Sequence, residues 1–182
     1  MTKFRAAFLA FAIAIAAATP ALAEEEPGAP QMLNQPTAGW TVYGPGQTHK
    51  ARKDGAVQGG SAMRVTIPAK PANAWDIGAS VPISGPIAKG DRLILAFWVR
   101  LVDGGPDAPA SAADLGAAIQ QNSAPYAPIV AGRVAFSGEW KLVHVKGIAA
   151  DEHPAGKANV ALTLGDAART IDLGPAFVMK AD

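Results

Sequence analysis

Ile87-Ala-Lys-Gly-Asp-Arg-Leu-Ile-Leu-Ala-Phe-Trp-Val-Arg-Leu-Val102 is the stretch from which the rest of the chain can be read. Gly90-Asp91 is a turn signal, and alternation follows it. Leu93, Leu95, Phe97, Val99 and Leu101 fall on one face; Arg92, Ile94, Ala96, Trp98 and Arg100 fall on the other. The run lacks proline and is enriched in β-branched and aromatic residues, so it predicts a central strand. Its apolar face belongs in a core. The opposite face sets an indole and a guanidinium two residues apart, an arrangement suited to a flat, polar, ring-shaped ligand.

Outward from this strand the same period recurs. Trp40–Tyr43, Ser61–Pro68, Asp76–Ile83, Leu115–Gln121, Val130–Phe136, Lys141–Ile148, Ala158–Leu164 and Thr170–Met179 read as short strands separated by turn signals. Met63, Val65 and Ile67 point inward, and Pro82 suggests an edge position. Asp103–Asp114 is a Gly/Pro/Ala/Ser/Asp loop. The alanine-rich stretch from Asp107 to Gln121 also admits a helix, with Ser111 and Asp114 spaced like a capping box. Gly116 and the strands on both sides favour a sheet. With no convincing helix and no repeat, the pattern predicts an all-β chain folded as a sandwich or jelly roll.

The first 23 residues read as an export signal. Lys3 and Arg5 form a basic start, Ala6–Ala18 an apolar run, and Ala21-Leu-Ala23 a small-x-small cleavage site. The apolar run is shorter than the roughly 20 residues a membrane span needs. Cleavage would expose Glu24, with no stable membrane insertion afterwards, and the expected location is secreted or periplasmic. Residues 24–38, rich in Pro, Gly, Gln and acid, read as a disordered lead-in, and residues 39–182 as the folded domain.

Losing Lys3 and Arg5 leaves fourteen basic residues against fifteen acidic ones. That balance offers no electrostatic case for nucleic acid. Without cysteine, the core must hold the fold unaided, and thiolate chemistry is excluded.

The chain is poor in catalytic patterns. His49, His144 and His153 are its histidines, no Gly-x-Ser-x-Gly elbow occurs, and His144 alternates away from the core with Val143 and Val145. Gly44-Pro-Gly46 lacks the Gly-Lys-Ser/Thr of a phosphate loop. Glycoside hydrolysis requires two facing carboxylates about 5–9 Å apart. Asp54, Asp91, Asp103, Asp107, Asp151, Glu152 and Asp166 lie instead in turns. Asp54 and Asp172 could contribute to a structural calcium site, the kind an exported β-sandwich clips between a loop and a terminal strand. Asp172 could equally be an ordinary outward strand residue.

Four tryptophans in a small all-β domain need a role. Trp40 and Trp140 begin strands and should plug the ends of the core. Trp75, in a Pro/Asn/Ala loop, and Tyr126, framed by Pro125 and Pro128, could serve ligand or packing equally. Trp98 faces away from the core and is either a ligand platform or covered by a loop.

Several runs, in this order, resemble the CenC-like carbohydrate-binding modules. They are Gly59-Gly-Ser-Ala-Met-Arg-Val65, Ala74-Trp-Asp76, Lys89-Gly-Asp91 through Phe97-Trp-Val-Arg100, and Pro125-Tyr126. Gly138-Glu-Trp-Lys141, Leu162-Thr-Leu-Gly165 and Thr170-Ile-Asp-Leu173 complete the set. The resemblance covers Trp40 to the C-terminus. It implies a galactose-binding-domain-like jelly roll that binds glycan chains on a concave sheet face, often with a structural calcium. It also implies attachment to xylanases or glucanases. This chain carries no catalytic domain of that kind, so the expectation is a free-standing binding protein, acting with a separate glycoside hydrolase or envelope partner, or a fold kept for another purpose.

The expected site is therefore Trp98 and Arg100 with Gln120 on one concave sheet, rimmed by Trp75 and Tyr126. Sugar rings stack their C–H faces on aromatics, and their hydroxyls need Arg, Gln and Asp partners. The alternative is a structural or protein-interaction domain of the cell envelope, with the aromatics as interface anchors. A glycoside hydrolase is disfavoured by the placement of the acids.

Overall fold

The computed structural model describes residues 30–105 and 112–181. The expected export signal and six residues of the Asp103–Asp114 loop lie outside them. Eleven strands form: β1 (Gln31–Met32), β2 (Thr41–Tyr43), β3 (Thr48–Lys53), β4 (Ser61–Ile67), β5 (Gly78–Ile83) and β6 (Arg92–Asp103). They continue with β7 (Ala113–Gln121), β8 (Pro128–Phe136), β9 (Lys141–Ile148), β10 (Ala158–Thr163) and β11 (Arg169–Ala181). A single 3-10 turn, Ala74–Asp76, interrupts them among the described residues.

Two antiparallel sheets pack face to face as a jelly-roll β-sandwich. The first runs β3-β4-β11-β6-β9, with β1 also on β11; the second runs β2-β5-β10-β7-β8. The central run quoted above is β6, held between β11 and β9. Its inward residues Leu93, Leu95, Phe97, Val99 and Leu101 are all at most 3% exposed. Across the core they meet Leu115, Ala117 and Ile119 of β7 and Val160 and Leu162 of β10. Of the stretch that admitted a helix, Ala113–Gln121 is strand, because its alternate residues are needed to close this core.

Pro82 sits where its missing N–H does no harm: β2 covers β5 only at Gly78–Ser80, leaving Pro82 on the open edge. Pro175, inside β11, coincides with a register shift between Leu173 and Ala176, the bulge that lets proline enter a central strand.

Two elements depart from the expectation. β3, unassigned in the sequence because it reads Thr-His-Lys-Ala-Arg-Lys, is a charged edge strand, the composition that discourages edge-to-edge pairing. The lead-in is not structureless throughout. Leu33 is 2% exposed, and Asn34 accepts a hydrogen bond from Val178 N (2.7 Å) and donates one to Ala176 O (3.1 Å). The segment is polar in composition but carries one leucine and one amide that complete β11. The folded body thus starts nearer residue 31 than 39.

Candidate functional site

The residues expected to share one sheet divide between two. Trp98 and Arg100 project from β6 on the outer face of the first sheet. Gln120 projects from β7 on the outer face of the second, with the whole core between them. Alternation gave each residue's face correctly, but not the sheet to which its strand belongs.

On the second sheet a groove forms. Its floor is the outward row of β10, Asn159, Ala161 and Thr163, paired with Gln120, Ala118 and Gly116 of β7 and with Pro82, Ser80 and Gly78 of β5. Small side chains there leave a trough of about 560 Å³, lined by Tyr43, Trp75, Gln120, Tyr126, Asn159, Ala161, Leu162 and Thr163.

Each aromatic wall is held by its own device. Tyr43 is the register partner of Gly78, and a β-carbon at Gly78 would collide with the phenol ring. Glycine is what lets that ring lie across β5. Burial also raises the Tyr43 pKa, so the phenol keeps its proton at neutral pH and can donate. Trp75 is 71% exposed, yet its turn is pinned. The Asp76 carboxylate accepts from Asn73 N (3.0 Å), Gly165 N donates to Ala74 O (3.0 Å), and Leu164 N to Ile77 O (2.9 Å). Tyr126 is 56% exposed and has a φ of 56°. For a bulky residue that conformation costs about 1–3 kcal/mol, and it persists because Tyr126 N donates to Ser123 O (2.7 Å) and Asn122 Nδ2 to Gly156 O (2.7 Å).

The floor carries two amides, Gln120 and Asn159. Asn159 Oδ1 is buried with no hydrogen-bond partner among the described residues, and an unpaired buried polar atom costs about 1–3 kcal/mol. The half-exposed Gln120 amide is at hand for a ligand. The lining carries no carboxylate and no histidine. The arrangement can stack rings and exchange hydrogen bonds; it offers no acid–base pair.

Tyr43 and Asn159 were absent from the sequence-based site. Asn159 was within reach, since Asn159, Ala161 and Thr163 alternate outward on a strand already predicted. Nothing local distinguished Tyr43.

The outer face of the first sheet has a different character. Trp98 is covered in part by the Asp54–Gly60 loop: its Nε1 donates to Gln58 Oε1 (3.3 Å), and a β-carbon at Gly174 would strike both Trp98 and Val57. Arg100 is an ion-pair residue. Its Nε and Nη2 donate to Asp172 Oδ2 (3.0 and 2.8 Å) and Nη2 also to Asp54 Oδ2 (2.9 Å). Arg64 adds two bonds to Asp172 (2.8 and 2.9 Å) and Arg52 a third partner (2.7 Å). Burial by itself would raise the Asp172 pKa, but the bonds from Arg64 and Arg100 outweigh it and hold the carboxyl below its ordinary range. The same bond from Asp172 raises the Arg64 pKa.

Asp54 and Asp172 do come together, as the calcium reading required. Their oxygens accept from the guanidinium groups of Arg52, Arg64 and Arg100. Among the described residues no group of three or more His, Cys, Asp or Glu could hold a metal. Trp40 plugs the core as expected, 3% exposed and edge-on to Phe97 at 6.0 Å. Trp140 does not: it lies outside the sheet, its ring 4.8 Å from the Arg100 guanidinium carbon.

No known family's sequence profile matches this chain, and no curated protein matches it. Solved structures do. The second N-terminal cellulose-binding domain of Cellulomonas fimi β-1,4-glucanase C superposes with a TM-score of 0.61 at 18% identity, covering 84% of this chain and 96% of that one. A CBM4 structure gives 0.57 at 16% identity, over 82% and 96% of the two chains. The CBM22-1 xylan-binding domain of Paenibacillus barcinonensis Xyn10C gives 0.55 at 18%, over 86% and 97%. At these identities the likeness is one of fold. It accords with the resemblance to CenC-like modules drawn from the sequence.

Proposed function

We propose that this chain is an exported, non-catalytic module that binds polysaccharide chains in the groove on the outer, concave face of the second sheet. One observation carries the reading: three aromatic walls, Tyr43, Trp75 and Tyr126, enclose a floor that carries the Gln120 and Asn159 amides. Pyranose rings present apolar faces to aromatics and hydroxyls to amides, so both halves of the groove find partners in one ligand. The cellulose- and xylan-binding domains that share the fold support the same class of ligand. A separate glycoside hydrolase, or an envelope component, is the expected companion.

Affinity gel electrophoresis on soluble cellulose derivatives, xylan and mixed-linkage glucan tests this directly. Retardation on at least one polymer, lost in Trp75→Ala, with no release of reducing sugar, is the expected result. Pull-down of an envelope protein through Trp75 and Tyr126, without retardation on any glycan, would favour the interaction-domain reading. Export is tested by the intact mass of the secreted form, which should begin at Glu24.

A further inference from the structure

The first sheet carries a second, chemically distinct surface. Across its outer face the strand registers align Lys50 on β3, Arg64 on β4, Asp172 on β11 and Arg100 on β6 in one row. Adjacent strands lie about 4.8 Å apart, so these groups form a line of charge perpendicular to the strands. Arg52 joins them from β3. Among the described residues, Arg52, Arg64 and Arg100 pair only with Asp54 and Asp172, three cations against two anions before Lys50 is added.

The layering matters more than the count. The Asp172 and Asp54 side chains are 0% and 9% exposed, whereas those of Arg52, Arg64 and Arg100 are 32%, 37% and 23% exposed. The carboxylates lie beneath and the guanidiniums above, so the layer that meets solvent is positive. Arg52 Nε, Arg64 Nη1 and Arg100 Nη1 make no hydrogen bond among the described residues, although the opposite edges of the same groups are fixed by Asp172. Asp172 therefore anchors Arg52 and Arg64 as donor forks, while Arg100, its Nη2 spent on both Asp172 and Asp54 and its face against Trp140, adds charge and the Nη1 donor. Such forks match the oxygen pair of a carboxylate, sulfate or phosphate. The flanking row, Thr48, Thr66 and Thr170, adds hydroxyls, with Thr170 bonded to Thr66 at 3.3 Å. No aromatic groove is needed for this chemistry.

We infer that the Lys50–Arg52–Arg64–Arg100 surface is a second binding site, for oxyanion groups repeated along an acidic polymer, on the side of the domain opposite the aromatic groove. It is independent of what the groove binds. A chain with both surfaces can hold a neutral polymer on one side and an acidic one on the other.

The test is affinity electrophoresis of the full chain in polygalacturonate, whose anions are carboxylates, and in dextran sulfate, whose anions are sulfates, with neutral dextran as control. Retardation in either acidic gel that weakens with added salt is expected, and the preferred gel identifies the oxyanion. The double variant Lys50→Gln/Arg52→Gln, both on the edge strand and leaving Arg64 and Arg100 on Asp172, should lose about tenfold in affinity. A charge-matched control, Lys89→Gln/Lys157→Gln, should lose little, and Trp75→Ala nothing. Absence of retardation in both acidic gels overturns the site. So does equal loss in the two double variants, since that is the response of net charge alone. A thermal melt of each variant confirms that the folded protein is being compared.

Discussion

Arg100 and Asp172 are register partners on adjacent central strands, and Arg100 reaches the buried carboxylate through both Nε (3.0 Å) and Nη2 (2.8 Å). On its other side Asp172 faces Arg64, also in register, at 2.8 Å. A carboxylate shared between two neighbouring strands ties β4, β11 and β6 together. Removing it leaves Arg64 without its partner and Arg52 and Arg100 on Asp54 alone, so Asp172→Ala should destabilise the domain by about 1–3 kcal/mol in urea unfolding. Arg100→Ala, which leaves Arg64 and Arg52 on the carboxylate, should be milder and leave glycan binding in the groove unchanged. That departs from the sequence-based expectation, which placed Arg100 in the glycan site.

The same pair sets an acid limit. The Asp172 pKa is lowered in the folded state, so its contribution is present above the unfolded value, about 3.9, and is lost as pH falls from there through the folded value. Stability measured by urea between pH 7 and pH 2 should fall through that window. Asp172→Asn should show a flatter acid limb from a lower starting point.

In the groove, Trp75→Ala and Tyr126→Ala should each weaken glycan binding by about 1–3 kcal/mol, the scale of a lost stacking platform, as should Gln120→Ala for a lost polar contact. All three side chains are at least partly exposed, so melting temperatures should barely move. Gly78→Ala is a further probe: the added carbon would meet the Tyr43 ring and the Leu162 carbonyl of β10, displacing the aromatic wall. Isothermal titration should show weaker binding in a folded protein.

Phe97→Ala should do the reverse. Phe97 is 0% exposed and packs against the edge of Trp40, so its loss should cost about 3–5 kcal/mol of stability. Whatever variant remains folded should bind glycan normally.

Two further outcomes follow from the N-terminal segment and the arginine cluster. Deleting the segment through Pro36 removes Leu33 and the Asn34 bonds to β11 and should lower the melting temperature by about 10 °C. A chelator should not move the melting temperature, because the Asp54 and Asp172 oxygens are already matched by guanidinium donors.

Much of the architecture was legible because strands declare themselves locally. The period of two in Leu93–Leu101 and in Leu115–Ile119, and the turn residues at Gly90-Asp91, are properties of neighbouring residues. They named the strands, their core faces and the jelly-roll class. β3 was missed because an edge strand buries almost nothing and so carries no apolar period. β1 was missed because two residues are too few to show one.

The site was legible only in part, for a related reason. Sequence determined that Trp75 and Tyr126 are loop aromatics, that Gln120 faces away from the core, and that Trp98 and Arg100 share a face. Only the tertiary structure decided that β6 and β7 belong to different sheets, which sends Arg100 to Asp172 and Gln120 to Tyr43 and Asn159. Side-chain direction follows from the local pleat, whereas sheet membership follows from pairing between strands far apart in the chain, such as Asp172 with Arg64 and Asn159 with Gln120.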